Sequence, residues 1–149
     1  MGNIRLTKEF HFEMAHALWN YDGSCKSIHG HSYKLFITLL GVPLNNNIDP
    51  KNGMVADFSD IKKWVKKPIL DYLDHALVIS KDADSQSLAH VSQMFDTLRI
   101  VDFQPTCENL LIDIVKKIKP LLPVTLTLFS VKLCETATSY AEWYASDNL

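Results

Sequence analysis

The chain lacks any excess of positive charge, any long uncharged apolar stretch near its start and any even set of cysteines, and each absence removes a class of function. Lys and Arg number 15 against 17 Asp and Glu, a formal net charge of −2. No broad basic surface is left to follow a phosphate backbone, so nucleic acid is excluded as a partner. The opening residues MGNIRLTKEFHFEMAHAL meet a charge every few positions, unlike a secretory core or a membrane span. Position 6 is Leu6, where a myristoylation signal needs Ser or Thr. No membrane partner and a cytoplasmic location are the expectations. The cysteines are 3 in number, Cys25, Cys107 and Cys134; an odd set without a leader reads as reduced thiols, at least one open to reactivity, and not as a disulfide framework. No internal repeat or low-complexity segment interrupts the chain.

What is present is an ordinary globular composition. Of 149 residues, 47% are hydrophobic and 21% charged, enough for one domain, residues 1–149, with a real core. Ile4, Leu6, Phe10, Phe12 and Met14 share one parity, which His16 continues; period two is the mark of a half-buried strand. After a turn-like Asn20-Tyr21-Asp22-Gly23-Ser24, a second alternation places His29, His31, Tyr33, Leu35, Ile37 and Leu39 on one face, and the two runs read as a hairpin.

Beyond a polar loop at residues 45–53, Ile61, Trp64, Val65, Ile69 and Leu73 recur at helical spacing, with Pro68 set to kink or restart the helix. Thr106 is placed as an N-cap after Pro105, and Leu110, Leu111, Ile114, Val115 and Ile118 follow as a helix up to Pro120. Between them, SLAHVSQMF reads as a short helix and LRIVDF as a short strand. After Pro123, VTLTLFSVKL and TSYAEWYA read as strands. The main order is strand, strand, helix, helix, strand, strand. It predicts an α+β fold, a four-stranded antiparallel sheet with two helices on one face, whose open edges favour an oligomer.

His29-Gly30-His31 puts two imidazoles on one face of a strand, roughly 7 Å apart at Cα from the strand rise, and both can reach one ion. The hairpin brings His16 beside them, a set of three nitrogen donors that suits zinc and leaves a fourth position open. Taken alone, a strand pair of histidines satisfied by hydrogen bonds is the ordinary reading; the third histidine weighs against it. Cys25, four residues before His29, is either a fourth ligand that closes a structural site or a separate thiolate beside the metal.

Asp74-His75 at the end of the first long helix is a candidate proton relay, since a carboxylate can set the tautomer and basicity of an adjacent imidazole; on its own the pair is more often a chance one, at a helix C-terminus that favours His for electrostatic reasons. Glu135 follows the VTLTLFSVKLC strand; a lone Glu at a strand end is usually just solvated, whereas a buried carboxylate there would suit a guanidine-like ring edge through two hydrogen bonds. Thr106 and Glu108 open the second long helix. Cys107 and Cys134 have no basic neighbours in sequence and read as inert thiols.

In order along the chain, FEMAHAL, C-x-x-x-HGH, MVADFSDIK, LDHA, PTCEN and the Glu of KLCETATS closely resemble the 6-pyruvoyl-tetrahydropterin synthase and 6-carboxytetrahydropterin synthase family. The resemblance spans nearly the entire chain. It implies a tunnelling fold whose subunits join into trimers around a twelve-stranded barrel, two trimers stacking into a hexamer. It also implies one Zn2+ per subunit on His16, His29 and His31, Cys25 as general base, and Asp74 and His75 as its relay. Glu135 becomes the pterin anchor, with Thr106 and Glu108 as further pterin contacts reaching from a neighbouring subunit. The stretch Ser80 to Gln104 is longer than in short bacterial members and takes no role from the family.

The substrate that the resemblance implies is a pterin triphosphate, 7,8-dihydroneopterin triphosphate. Two outcomes diverge. One branch breaks a carbon bond and gives 6-carboxy-5,6,7,8-tetrahydropterin and acetaldehyde; the other eliminates triphosphate and stops at 6-pyruvoyl-tetrahydropterin. The C-x-x-x-HGH spacing and the LDHA string favour the first. A non-catalytic pterin- or zinc-binding module is the remaining alternative, which the presence of Cys25, Asp74 and His75 argues against.

Overall fold

The first alternating run forms β1 (Ile4–Ala17) and the second β2 (His29–Gly41). The computed structural model describes residues 2–149 and pairs the two strands antiparallel, from Ile4 opposite Gly41 to His16 opposite His29. Their shared inner face holds Phe10, Phe12, Met14, Tyr33, Leu35, Ile37 and Leu39, all buried. Each such side chain contributes about 1.5–3 kcal/mol by leaving water. Phe12 stacks on Tyr33, ring centroids 5.1 Å apart and 9° from parallel, and so sets the hairpin register just below the histidines.

Pro68 has the effect expected of it. The helix α1 (Phe58–Val65) is capped by Asp57, whose side chain accepts from the Ser59 N–H. It loosens into a π-helical turn at Lys66–Leu70 and ends in the short α2 (Asp71–Leu73), because proline has no N–H to continue the ladder. From this run Ile61, Val65, Ile69 and Leu73 face the sheet and are buried.

The sheet itself departs from expectation. It has six strands in the order β4-β3-β1-β2-β5-β6, not four, and it is mixed. Two extra strands, β3 (Ala76–Ser80) and β4 (Leu98–Val101), lie parallel to their neighbours, β3 against β1 and β4 against β3. The reason is physical: every residue of β3 is buried, so Ala76–Ile79 is a continuous apolar run with no alternation to read, as in strands covered on both faces. Parallel neighbours need a crossover, and α3 (Ser85–Met94) supplies it without burying any residue fully.

The last helix, α4 (Cys107–Ile118), starts where Thr106 caps it by accepting from the Asn109 N–H. Leu110, Leu111, Ile114 and Ile118 pack beside the α1 residues, so the two long helices cover one face as the amphipathic spacing requires. The other wing is β5 (Thr127–Cys134), paired antiparallel with β2, and β6 (Tyr140–Tyr144), paired with β5. A register shift opposite Thr38 and Leu39 lets Leu128 and Val131, of opposite parity, both point into the core. No helix among the described residues is long and apolar enough to cross a membrane.

Candidate functional site

Because β1 and β2 stay paired to their ends, His16 lies opposite His29, and strand alternation returns His31 to the same face. Ring centroids are 4.6 Å apart for His16 and His29, 4.9 Å for His29 and His31 and 5.2 Å for His16 and His31. One donor nitrogen from each ring lies within 4.8 Å of the others.

Hydrogen bonds decide which nitrogens are free. His16 Nδ1 donates to the Pro105 carbonyl at 2.7 Å and His29 Nδ1 to the Ser27 carbonyl at 2.7 Å; since a carbonyl oxygen only accepts, both protons sit on Nδ1. The two Nε2 lone pairs then face each other at 3.1 Å, a repulsive arrangement unless a cation lies between them. His31 Nε2 is buried with no hydrogen-bond partner at all, which costs roughly 1–3 kcal/mol for a polar atom left alone. Burial, opposed by the Pro105 hydrogen bond, lowers the His16 pKa below its usual 6.5 and keeps the ring in the neutral form that binds metals. Three converging imidazole lone pairs fit a zinc ion, and the residues present suit that group.

Cys25 sits on a short 3-10 turn, Ser24–Lys26, and is not one of the converging donors. It shares a cavity of about 340 Å3 with His16, Thr106, Glu108 and Glu135. Thr106 and Glu108, which the resemblance assigned to a neighbouring subunit, thus stand beside Cys25 of their own chain. Glu135 leans toward the imidazoles: its Oε1 is 3.7 Å from His31 Nε2 and its Oε2 4.0 Å from His16 Nε2. The buried Tyr33 hydroxyl donates to Glu135 Oε2 at 3.5 Å. Its parity with His29 and His31 is the only sequence signal that could have marked Tyr33.

Asp74 and His75 are paired as read but lie elsewhere. Asp74 Oδ1 accepts from the Glu13 N–H at 2.9 Å, and Oδ2 is 3.1 Å from His75 Nδ1. His75 has φ of 59°, a left-handed backbone rare for a residue with a side chain. It is pinned there by its N–H donating to the Glu13 carbonyl at 2.6 Å and its own carbonyl accepting from the Thr97 hydroxyl at 2.7 Å. The His75 side chain is 78% exposed and lines a second cavity, of about 430 Å3, with Glu13, Gly30, His31 and Phe95. Within one chain the structure does not bring this pair to Cys25.

Cys107 donates its thiol to the Leu133 carbonyl at 3.4 Å, and burial, helped by the Glu135 carboxylate, pushes its pKa up to about 11. That is an inert thiol at neutral pH.

A mixed sheet backed by two helices, with three imidazoles aimed at one point beside a pocket that holds two thiols and two carboxylates, has the makings of a metal-dependent enzyme. The family model for 6-pyruvoyl tetrahydropterin synthase matches residues 5–146, and the chain belongs to that family. It is 37% identical over 142 residues to the 6-carboxy-5,6,7,8-tetrahydropterin synthase of Haemophilus influenzae, covering 94% of this chain and 98% of that one. To the 6-pyruvoyl tetrahydrobiopterin synthase of Homo sapiens it is 33% identical over 108 residues, 72% of this chain and 60% of that one. Its fold is that of a crystallised protein of Wolinella succinogenes, with a TM-score of 0.76 at 21% identity over 97% of this chain and 99% of the other.

Proposed function

We propose that this chain, acting as one domain in the cytoplasm, is a zinc-dependent lyase. With one water consumed, it converts 7,8-dihydroneopterin triphosphate to 6-carboxy-5,6,7,8-tetrahydropterin, acetaldehyde and triphosphate. The observation that carries this reading is the convergence of His16, His29 and His31, with His31 Nε2 left without a hydrogen-bond partner and His16 also lining the cavity that holds Cys25 and Glu135. Similarity over 98% of the Haemophilus influenzae enzyme, against 60% of the human one, favours the carboxy product over the pyruvoyl product.

His16, His29 and His31 would hold one Zn2+, which when bound supplies Lewis acidity toward the substrate's side-chain oxygens. The chain's own residues do the rest. Glu135 accepts two N–H groups from the guanidine-like edge of the pterin, a charge-assisted pair. Thr106 and Glu108 line the same cavity and complete the ring's contacts. Cys25, as thiolate, takes a side-chain proton, and His75, paired with Asp74, handles the complementary transfer. Since Asp74 and His75 stand at another cavity of their own chain, in this reading the relay is completed between copies in a trimer or hexamer.

Incubation with 7,8-dihydroneopterin triphosphate and mass spectrometry of the products tests the reading. Formation of 6-carboxy-5,6,7,8-tetrahydropterin with acetaldehyde supports it. Accumulation of 6-pyruvoyl-tetrahydropterin would move the chain to the biopterin branch, and pterin binding without turnover would make it a binding module.

A further inference from the structure

The loop that carries Cys25 leaves β1 after Ala17 and is closed by its own backbone. Leu18 N–H donates to the Cys25 carbonyl at 3.0 Å, Tyr21 N–H to the Leu18 carbonyl at 3.4 Å and Lys26 N–H to the Gly23 carbonyl at 3.3 Å. Such a loop keeps its internal shape, yet nothing in these bonds fixes where it stands relative to the imidazoles. One side is held at Ser27, whose carbonyl accepts from His29 Nδ1 at 2.7 Å; the tie on the Trp19 side comes from a residue far along the chain. Gln104 Oε1 accepts from the Trp19 N–H at 3.1 Å, and Gln104 Nε2 donates to the Trp19 carbonyl at 2.7 Å. One side-chain amide thus pairs with both backbone groups of a single residue, as a neighbouring strand would, and the two partners fix which end of the amide is oxygen.

Gln104 itself belongs to a segment with several anchors. Its carbonyl accepts from the Asn109 side-chain amide at 3.0 Å and from the Thr106 N–H at 2.8 Å. The next residue, Pro105, accepts from His16 Nδ1 at 2.7 Å, and Thr106 caps α4. The tripeptide Gln104–Thr106 therefore links the Cys25 loop, one of the converging histidines and the start of the helix that carries Glu108.

We propose that Gln104 is a positioning residue for Cys25: by clamping the main chain of Trp19 it sets the thiol's distance from the imidazole cluster. The inference rests on Cys25 acting as the base. A group that aims another acts on the rate more than on affinity, and a displacement of about 1 Å can cost roughly 100-fold.

The test compares the zinc-loaded wild type with Gln104→Ala and Gln104→Glu. The carboxylate of the second variant still accepts from Trp19 N–H but has no proton for the Trp19 carbonyl, and it serves if the alanine variant does not fold. In Gln104→Ala, kcat is expected to fall roughly 10- to 100-fold, with KM and zinc content within about twofold of wild type. Gln104→Glu should lie between. Two further readouts do not depend on turnover: hydrogen exchange at the Trp19 amide, faster in the alanine variant only, and the rate of Cys25 alkylation by iodoacetamide, raised in both. An unchanged kcat, or a raised KM at constant kcat, would overturn the proposal. If the wild type itself did not turn over dihydroneopterin triphosphate, the functional reading would fall while the alkylation rates still judged the clamp: unchanged Cys25 labelling in both variants refutes it.

Discussion

His16 and His29 meet through their Nε2 atoms at 3.1 Å, although neither has a proton to place between them, each having given its own to a carbonyl, of Pro105 and of Ser27. Two acceptors at that distance ask for a cation, and the partnerless His31 Nε2 asks for the same one. Purified protein is therefore expected to carry about one zinc per chain. Replacing His29 or His31 by Ala should strip it, as read by elemental analysis. Full zinc retention in both variants would move the site elsewhere.

Cys25→Ala should separate the two roles left open for the thiol. With Cys25 outside the converging donors, the variant is expected to keep its zinc and its circular dichroism spectrum and to lose turnover. Zinc lost together with the thiol would instead mark a closed site of one cysteine and three histidines.

Glu135→Gln should weaken pterin binding with little effect on folding. A carboxylate accepts from both N–H groups of the pterin edge, whereas an amide offers one acceptor and one mismatched donor. Affinity should fall about 10- to 100-fold, following roughly 1.5–3 kcal/mol for a charge-assisted hydrogen bond. Tm should stay put or rise, because the carboxylate beside Tyr33 and His31 is partly desolvated before substrate arrives. Calorimetric titration with sepiapterin reads the affinity; an unchanged value would transfer the anchoring role to Glu108.

Cys107 should be slow to alkylate. Its thiol pKa, pushed up to about 11 by burial, leaves on the order of one thiolate in a thousand at pH 8. Labelling by iodoacetamide is expected to rise about tenfold per pH unit up to that value, which peptide mass spectrometry can follow. Rapid modification at pH 7 would mean that this thiol is ionised in the pocket.

Much of this was legible in the sequence, for definable reasons. A half-buried antiparallel hairpin writes its burial into every second residue, so β1, β2 and the common face of His16, His29 and His31 could be read directly. Thr106 and Pro68 announce helix boundaries through local chemistry alone. β3 could not be read that way, because burial on both faces erases alternation and LDHALVIS runs on from the helix before it. The carbonyls that orient the imidazoles were equally hidden: Pro105 lies 89 positions from His16, and a backbone oxygen has no residue type to recognise. Asp74 and His75 were readable as a pair, but their separation from Cys25 depends on how β3 docks beside β1, a fact of topology.

All three imidazoles belong to one hairpin, and that bears on how the chain folds. The antiparallel pairing of β1 and β2 closes over a short connection, whereas β3 must wait for the distant segment that carries it, and non-local pairing is the slower event. The metal ligands are thus gathered early, by a local step, before the core beneath the helices is complete. An ion able to bind that early hairpin is expected to speed refolding as well as to stabilise the finished protein, and it should add less to equilibrium stability than a site split across remote strands, since partly folded chains bind it too. Refolding traces recorded with zinc and with a chelator would reveal the order; identical rates would place hairpin closure after the slow step.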